Sequence, residues 1–366
     1  MKLYPLESIS LEEAKKIQFS IVDIITKYFS GKEVLSLGDL GVTPGINKPT
    51  YTLKVEKVLA ELFHVEAAVL LRGAGTGALR EGIQTLLKPT ESILVHDAPI
   101  YPTTENTLQN MGIKVIKANF NNIEELKFVL NNYDINAALI QYTRQKPDDS
   151  YDMANVIRII REIKEDLPII TDDNYSVFKA KKIGVELGAN LSAFSLFKIL
   201  GPEGIGVLLG KKEKISEVIH KNYSGGSQVQ GHEAMEVLRG LIYAPVMIAI
   251  QNEVLIQTKE ILDNGEIKGI KGTYIANAQS KVLLIEFEED IAKQVLIEAE
   301  KLGAAQNPVG AESKYEFVPM FYRVSGTFRM FDATIENRMI RINPMRSGPD
   351  TIIRILRESI GKIERR

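Results

Sequence analysis

The chain has 366 residues, of which 45% are hydrophobic and 25% charged, and its formal net charge is −2. This balance is typical of a globular protein and argues against nucleic-acid binding, which requires a basic surface. The chain contains no cysteine, which excludes disulfides, a thiolate nucleophile and cysteine-ligated metal centres. Its four histidines include no pair at i, i+4, so we expect no metal site.

The first 49 residues are predicted to form a helix followed by an irregular arm. The range 11–29 has the apolar spacing of a helix, and several glycines and prolines interrupt the range 38–49. The segment before the helix carries Glu7 and has no apolar run typical of a signal peptide. No apolar stretch of the chain is long enough to cross a membrane, so we expect a cytoplasmic protein.

Seven short apolar runs alternate with amphipathic stretches between positions 67 and 209. They are Ala67–Leu71, Ser92–Val95, Lys114–Ile116, Ala137–Ile140, Ile169–Thr171, Ser192–Ser195 and Gly206–Leu209. Continuous runs rich in Val, Ile and Leu are typical of strands that are buried on both faces. The alternation predicts an α/β fold with a mostly parallel seven-stranded sheet between helices.

The remainder of the chain is predicted to form a smaller α+β domain. A long helix is expected over 231–262, a strand over 281–286 and a last helix over 351–363. We therefore divide the chain into an N-terminal helix and arm (1–49), a large domain (50–235) and a small C-terminal domain (236–366).

An aspartate and a lysine follow two of the predicted strands. Asp173 comes directly after the fifth apolar run, and Lys198 follows 25 positions later, just after the sixth. A lysine in such a place is costly unless its charge is paired or its pKa falls, and a lowered pKa allows the amine to form a Schiff base. Pyridoxal 5′-phosphate (PLP) requires such a lysine and an acid that faces its ring nitrogen. A structural ion pair would show the same pattern.

A glycine-rich segment follows the first predicted strand. Arg72-Gly73-Ala74-Gly75-Thr76-Gly77-Ala78 opens a helix, where small residues let backbone N–H groups approach a phosphate. Thr76 adds a hydroxyl donor. Tyr101, after the second strand, has the place of a residue that stacks on a pyridinium ring, although a half-buried tyrosine beside a loop proline would look the same.

The same segment also fits a rival function. Gly73, Gly75 and Ala78 match the G-x-G-x-x-A pattern of dinucleotide-binding proteins, and Asp97 lies where a ribose-binding acid is expected. An NAD-dependent oxidoreductase is therefore the alternative hypothesis. It leaves Asp173 and Lys198 without a role.

Together these residues resemble the fold-type I PLP enzymes, in particular the cystathionine synthase and lyase branch. The resemblance is carried by Asp173-Asn174-Tyr175 and Ser195-x-x-Lys198, with support from Tyr101-Pro-Thr-Thr, Arg239-Gly-Leu and Ile340-Arg341-Ile-Asn. The whole chain is most similar to an uncharacterised bacterial group of aminotransferase-like proteins, the YhfS-like proteins. The resemblance implies an aspartate-aminotransferase-like fold and a homodimer, or a higher homo-oligomer, with its sites at the interface.

The resemblance also implies roles for individual residues. Lys198 would be the Schiff-base lysine and proton shuttle, Asp173 the partner of the ring nitrogen, and Arg341 the residue that binds the substrate carboxylate. By strand alternation, Asp172 should point away from the site. The implied cofactor-binding residues are Ala74, Gly75, Thr76, Tyr101, Asp173, Ser195 and Lys198.

The chain also departs from the family pattern. Phe197 stands where a second phosphate-binding hydroxyl is expected, and the range 41–44 lacks the Tyr-x-Arg that the partner subunit contributes in the family. Arg144 and the range 221–230 are candidate replacements. The predicted function is a PLP-dependent aminotransferase or lyase that acts on an amino acid, and a non-catalytic PLP-binding protein is a further alternative.

Overall fold

The computed structural model describes residues 2–143, 146–278, 280–310 and 312–365. The chain divides into two compact units. The large unit comprises Glu12–Tyr142 and Tyr151–Pro245, and the small unit comprises Met1–Leu11, Thr143–Ser150 and Val246–Arg366. The domain limits predicted from the sequence, at positions 49 and 235, remain a prediction. Within the described residues, no helix is both long and apolar enough to cross a bilayer.

The large unit is built on a seven-stranded sheet. Its strands are β1 (Ala67–Arg72), β2 (Ser92–His96), β3 (Lys114–Ala118), β4 (Ala137–Gln141), β5 (Ile169–Asp172), β6 (Leu191–Ser195) and β7 (Ile205–Gly210). The strand order is β1-β7-β6-β5-β4-β2-β3. Strand β7 runs antiparallel to both of its neighbours, and the other pairs are parallel. Each of the seven predicted strands is present, and the mostly parallel sheet is confirmed.

Helices cover both faces of this sheet. The helices of the large unit are α1 (Leu11–Tyr28), α2 (Thr50–Leu62), α3 (Ala74–Leu86), α4 (Pro102–Asn110), α5 (Ile123–Asn132), α6 (Met153–Ile163), α7 (Lys212–Lys221) and α8 (Gly231–Asp263), the last of which continues into the small unit. Alternate residues of one strand enter different cores, since Ile93 packs with α3 and α7, whereas Leu94 packs with α5 and α6. This double burial explains why the strands are continuously apolar.

The small unit contains a four-stranded antiparallel sheet. Its strands are β8 (Ile270–Ala278), β9 (Ser280–Phe287), β10 (Met320–Arg323) and β11 (Met339–Asn343), in the order β10-β11-β9-β8. Its helices are α9 (Ala292–Lys301), α10 (Gly326–Phe331), α11 (Ile335–Arg338) and α12 (Pro349–Ile363). Ile340 and Ile342 of β11 pack against α9 and α12. Arg341, which lies between them, therefore projects from the opposite face.

Candidate active site

Lys198 lies on a 3₁₀ turn, Leu196–Ile199, that begins directly after strand β6. Its ammonium nitrogen is 3.8 Å from the centre of the Tyr175 ring. A cation over an aromatic face is attracted by the negative face of the ring. Tyr175 itself has φ +65°, a conformation that is uncommon for a bulky residue and that occurs preferentially at functional sites. Lys198 is thus held in a specific environment at the carboxyl end of β6.

The carboxylates of Asp172 and Asp173 point to opposite sides of the sheet. Asp172 ends strand β5, and its Oδ1 accepts hydrogen bonds from the backbone N–H (3.0 Å) and the side-chain Nδ2 (2.7 Å) of Asn174. Asp173 accepts from the hydroxyl of Thr171 at 2.7 Å and from the N–H of Gly184 at 3.2 Å. Helix α3 packs on the face that carries Ile170 and Asp172.

The pKa values of the two acids depend on different neighbours. Burial raises the pKa of Asp172, and the positive charge of Lys198 acts in the opposite direction. Burial also raises the pKa of Asp173, to about 7, although hydrogen bonds from Ser192 and Thr171 act to lower it. The assignment of Asp173 to the ring nitrogen remains a prediction, and these contacts favour Asp172. The two acids do point apart, as strand alternation predicts, but Asp172 is the one on the side of α3 and is coupled to Lys198.

The glycine-rich segment forms a tight entry into helix α3. Gly73 and Ala74 both have positive φ, +92° and +55°, and their N–H groups donate to the carbonyl of Gly204 at 2.8 and 2.9 Å. The amides of Gly75 and Thr76 follow in the first turn, where a helix has no internal acceptor for them. These two amides can therefore donate to an anion bound at the positive end of the helix.

Gly75 also permits a close approach between segments. A Cβ at this position would lie 2.7 Å from Nδ2 of Asn174 and 3.0 Å from the backbone nitrogen of Ser195. The Asn174 side chain occupies this space because its Oδ1 accepts from the N–H of Ser195 at 3.0 Å while its Nδ2 donates to Asp172. Asn174 thus connects the end of β5 to the end of β6. The sequence pattern predicts no separate role for Asn174, although an asparagine directly after two acids is typical of such local hydrogen-bonded turns.

The hydroxyl of Ser195 is a possible ligand of the cofactor phosphate. It is buried, and no hydrogen-bond partner for it occurs among the residues that the structure describes. An unsatisfied buried hydroxyl is costly, and a phosphate oxygen would satisfy it. With the amides of Gly75 and Thr76 nearby, the residues fit the phosphate end of PLP, and Asp172 fits its ring nitrogen.

The remaining predicted contacts lie around this centre. The hydroxyls of Thr76 and Thr103 are 3.1 Å apart, which places the start of α4 beside the start of α3. Tyr101 directly precedes α4 and is 43% exposed, so its ring has an accessible surface. Phe197 is buried and supplies no hydroxyl.

The candidate replacements for the missing phosphate ligands are Arg144 and the range 221–230. Arg144 lies outside the described residues. In the range 221–230, the side-chain amide of Gln228 donates to the carbonyl of Asn222, and that of Gln230 to the carbonyl of Gly225 at 3.5 Å. These amides stabilise their own loop.

Arg341 lies on strand β11 of the small unit. It is buried, and its Nε donates to the carbonyl of Arg323 at 2.8 Å. Its guanidinium lies 4.0 Å from the centre of the Tyr322 ring, across the β10–β11 pair. A stacked, planar guanidinium of this kind is preorganised to bind a carboxylate through two parallel hydrogen bonds.

The sheet topology does not support the dinucleotide alternative. That fingerprint requires a βαβ unit, in which the strand before the glycines is joined by a helix to a nearby parallel strand. Among the described residues, β1 lies at the edge of the sheet and pairs only with the antiparallel β7, and four strands separate β1 from β2. Asp97, at the end of β2, is therefore on the wrong strand to complete a dinucleotide site beside Gly75.

Comparison with known proteins identifies the family. A model of the aminotransferase class-V family matches residues 50–238. The chain belongs to the class-V aminotransferase family. A model of the YhfS-like C-terminal domain matches residues 256–356. Within this family, the uncharacterized protein YhfS of Escherichia coli is 52% identical over 363 residues, which cover 99% of this chain and all of that protein.

Solved structures agree with this membership. The crystal structure of the PLP-dependent protein YhfS from Escherichia coli has a TM-score of 0.97 and 51% identity, and the match covers 99% of this chain and all of that one. A cystathionine γ-synthase from Xanthomonas oryzae has a TM-score of 0.72 at 15% identity, with 95% and 98% of the two chains covered. At that identity the likeness concerns the fold alone. The predicted family and fold class are confirmed.

Proposed function

We propose that this chain is a PLP-dependent enzyme in which Lys198 holds the cofactor and acts on an amino acid. The predicted class, a PLP-dependent aminotransferase or lyase, is confirmed at the level of the family. The observation that supports the site is the Asn174 side chain, which joins Asp172 to the backbone of Ser195. It keeps a buried acid, an unsatisfied hydroxyl and the start of the Lys198 turn in one place.

Each of these residues has a distinct role in the proposal. The amides of Gly75 and Thr76 and the hydroxyl of Ser195 bind the phosphate, and Asp172 faces the ring nitrogen. When bound, PLP accepts the electrons of a bond broken at the α carbon of an amino acid. Asn174 orients the Asp172 carboxylate by donating twice to one of its oxygens, which leaves the second oxygen for the ring nitrogen.

Lys198 serves both as the attachment point and as the proton carrier. Its amine ends a flexible chain at the carboxyl end of β6, so after release it can accept and return a proton at the α carbon of the substrate. The Tyr175 ring lies 3.8 Å from this nitrogen and so helps to position it. Arg341 is proposed to bind the substrate carboxylate.

The test is the absorbance of the purified protein near the edge of the visible range. Wild-type protein should be yellow, and borohydride should bleach this colour. Lys198→Ala should lack the absorbance. Lys179→Ala is the matched control, because the Lys179 ammonium lies 5.7 Å from the same Tyr175 ring. An unchanged spectrum in Lys198→Ala would reject the assignment of the attachment site.

A spectral screen with the twenty amino acids separates the two remaining functions. An enzyme should show a spectral change and product formation with at least one amino acid. A non-catalytic PLP-binding protein would keep its colour without such a change. The same screen addresses the type of reaction, since keto-acid products indicate transamination or elimination. The cytoplasmic location and the homodimer remain predictions.

A further inference from the structure

Arg341 lies at one end of a buried polar network in the small unit. Its guanidinium stacks on the Tyr322 ring, and Tyr322 is itself buried. Burial raises the pKa of the Tyr322 hydroxyl, while the charge of Arg341 and a hydrogen bond with the Asn343 side chain lower it. Asn343 therefore holds in place the Tyr322 ring on which the guanidinium stacks.

Asn343 is in turn fixed by a buried carboxylate. Its Nδ2 donates to Oε1 of Glu312 at 3.3 Å. The same oxygen accepts from Nε2 of Gln251 at 2.9 Å and from the hydroxyl of Ser280. Glu312 is only 1% exposed. Three neutral donors from separate elements thus converge on one carboxylate, which is an expensive arrangement to bury unless each bond is made.

A second guanidinium is linked to Glu312 through Gln251. Nη1 of Arg346 donates to Oε1 of Gln251 at 3.0 Å, and Gln251 is the residue that donates to Glu312. The backbone of Glu312 has φ +77°, a strained conformation that persists only where the surroundings determine it. The carboxylate is therefore held at a set position by its hydrogen bonds with Gln251, Ser280 and Asn343.

We propose that Glu312 is a positioning residue that acts on Arg341 through Asn343 and Tyr322. The proposal rests on the proposed role of Arg341 as the carboxylate-binding residue. The network fixes the Tyr322 ring, and the ring fixes the plane of the guanidinium. Bidentate binding of a carboxylate depends on that plane, so a loosened network should weaken recognition of the substrate carboxylate more than recognition of the rest of the substrate.

The test compares an amino acid with its primary amide, which lacks the carboxylate charge. The probe is the amino acid, of the twenty, that gives the tightest spectral titration of the PLP-loaded protein. The measured quantity is the ratio of the two dissociation constants, amide over acid. Glu312→Gln should lower this ratio on the order of tenfold, since charge-assisted hydrogen bonds are lost from the network. Tyr322→Phe, which keeps the ring but removes the hydroxyl, should lower it less.

Glu316→Gln is the matched control. Glu316 is a buried carboxylate of the same loop, but it accepts from Ser313 and from the backbone of Val309 and Gly310. It should cost stability without changing the ratio. Thermal unfolding of each variant checks that the protein is folded, and Tyr322→Phe carries the test if Glu312→Gln does not fold.

The outcomes separate this proposal from the proposed function. Arg341→Ala should abolish the preference for the acid over the amide. If Arg341→Ala does so while Glu312→Gln and Tyr322→Phe keep the wild-type ratio, the positioning role is rejected and Arg341 stands. If Arg341→Ala also keeps the wild-type ratio, the role of Arg341 is rejected and the positioning proposal falls with it.

Discussion

Asp172 and Asp173 are neighbours in sequence, but their carboxylates serve different sides of the large sheet. Asp172 is bound by Asn174 and is coupled electrostatically to Lys198, whereas Asp173 is bound by Thr171 and the amide of Gly184. One strand end therefore carries two buried acids with separate surroundings. This relationship decides which acid is available to a cofactor beside Lys198.

The first prediction concerns these two acids. Asp172→Asn should shift the visible absorbance of the PLP-loaded protein and lower kcat by at least about a hundredfold, because a neutral amide does not hold a proton on the ring nitrogen. Asp173→Asn should leave the absorbance maximum in place. Spectra and kcat of both variants are measured beside wild type. A larger spectral shift in Asp173→Asn would return the assignment to Asp173.

The second prediction is a pH dependence of stability from Asp173. Burial raises its pKa in the folded protein to about 7, from 3.8 when unperturbed. Between these values the folded state keeps a proton that the unfolded state has lost, so this acid contributes less stability as the pH rises from about 4 to about 7. Asp173→Asn removes the dependence. The variant should therefore gain stability relative to wild type between pH 5 and pH 8.

Denaturant unfolding of both proteins at these two pH values measures that difference. The comparison with Asp173→Asn cancels the titration of buried acids that do not interact with Asp173, such as Glu56, whose pKa burial also raises. A constant difference in unfolding free energy across the range would mean that Asp173 is ionised throughout. In that case the hydrogen bonds from Thr171 and Gly184 outweigh burial.

Much of the large unit follows from its sequence. Its strands are short, apolar and separated by helical patterns, because each strand is buried on both faces. Strand order is less accessible. The antiparallel insertion of β7 between β1 and β6 depends on contacts between residues far apart in sequence, such as Gly210 with Ala67 and Leu191. A local G-x-G-x-x-A pattern contains no such information, and for this reason it also fitted a dinucleotide site.

The site itself was predictable in its residue types but not in its orientations. Alternation indicates that Asp172 and Asp173 point apart, but the side that holds the cofactor depends on where α3 begins. The contribution of Asn174 depends on its reach to Ser195, which lies 21 positions away. The Glu312 network depends on contacts of Glu312 with Gln251 and Asn343, and single-sequence patterns do not contain these.

The third prediction concerns the unsatisfied hydroxyl of Ser195. Ser195→Ala should weaken PLP binding by roughly fivefold, since one hydrogen bond contributes about 1 kcal/mol. It should leave the stability of the cofactor-free protein unchanged or slightly higher, because the hydroxyl has no hydrogen-bond partner among the described residues. PLP titration and thermal unfolding measure the two effects.

Ser192→Ala provides the contrast on the same strand. The Ser192 hydroxyl lies 2.8 Å from that of Thr171 and accepts from the N–H of Val185 at 2.9 Å. Its removal should destabilise the cofactor-free protein by about 1–3 kcal/mol and leave PLP affinity unchanged. Equal effects of the two substitutions on PLP affinity would remove Ser195 from the proposed phosphate site.

The fourth prediction concerns the arm between α1 and α2. Leu35, Leu37 and Leu40 are 82%, 77% and 75% exposed within the single chain, a concentration of apolar surface that usually marks a protein interface. If the protein is the homodimer that we propose, the double substitution of Leu37→Glu with Leu40→Glu should shift it toward monomer in analytical ultracentrifugation. Phe128→Glu, at a 59% exposed position on α5, is the control and should leave the mass unchanged. A wild-type protein that sediments as a monomer at micromolar concentration would reject the dimer, and a dimer unaffected by the arm substitutions would place its interface elsewhere.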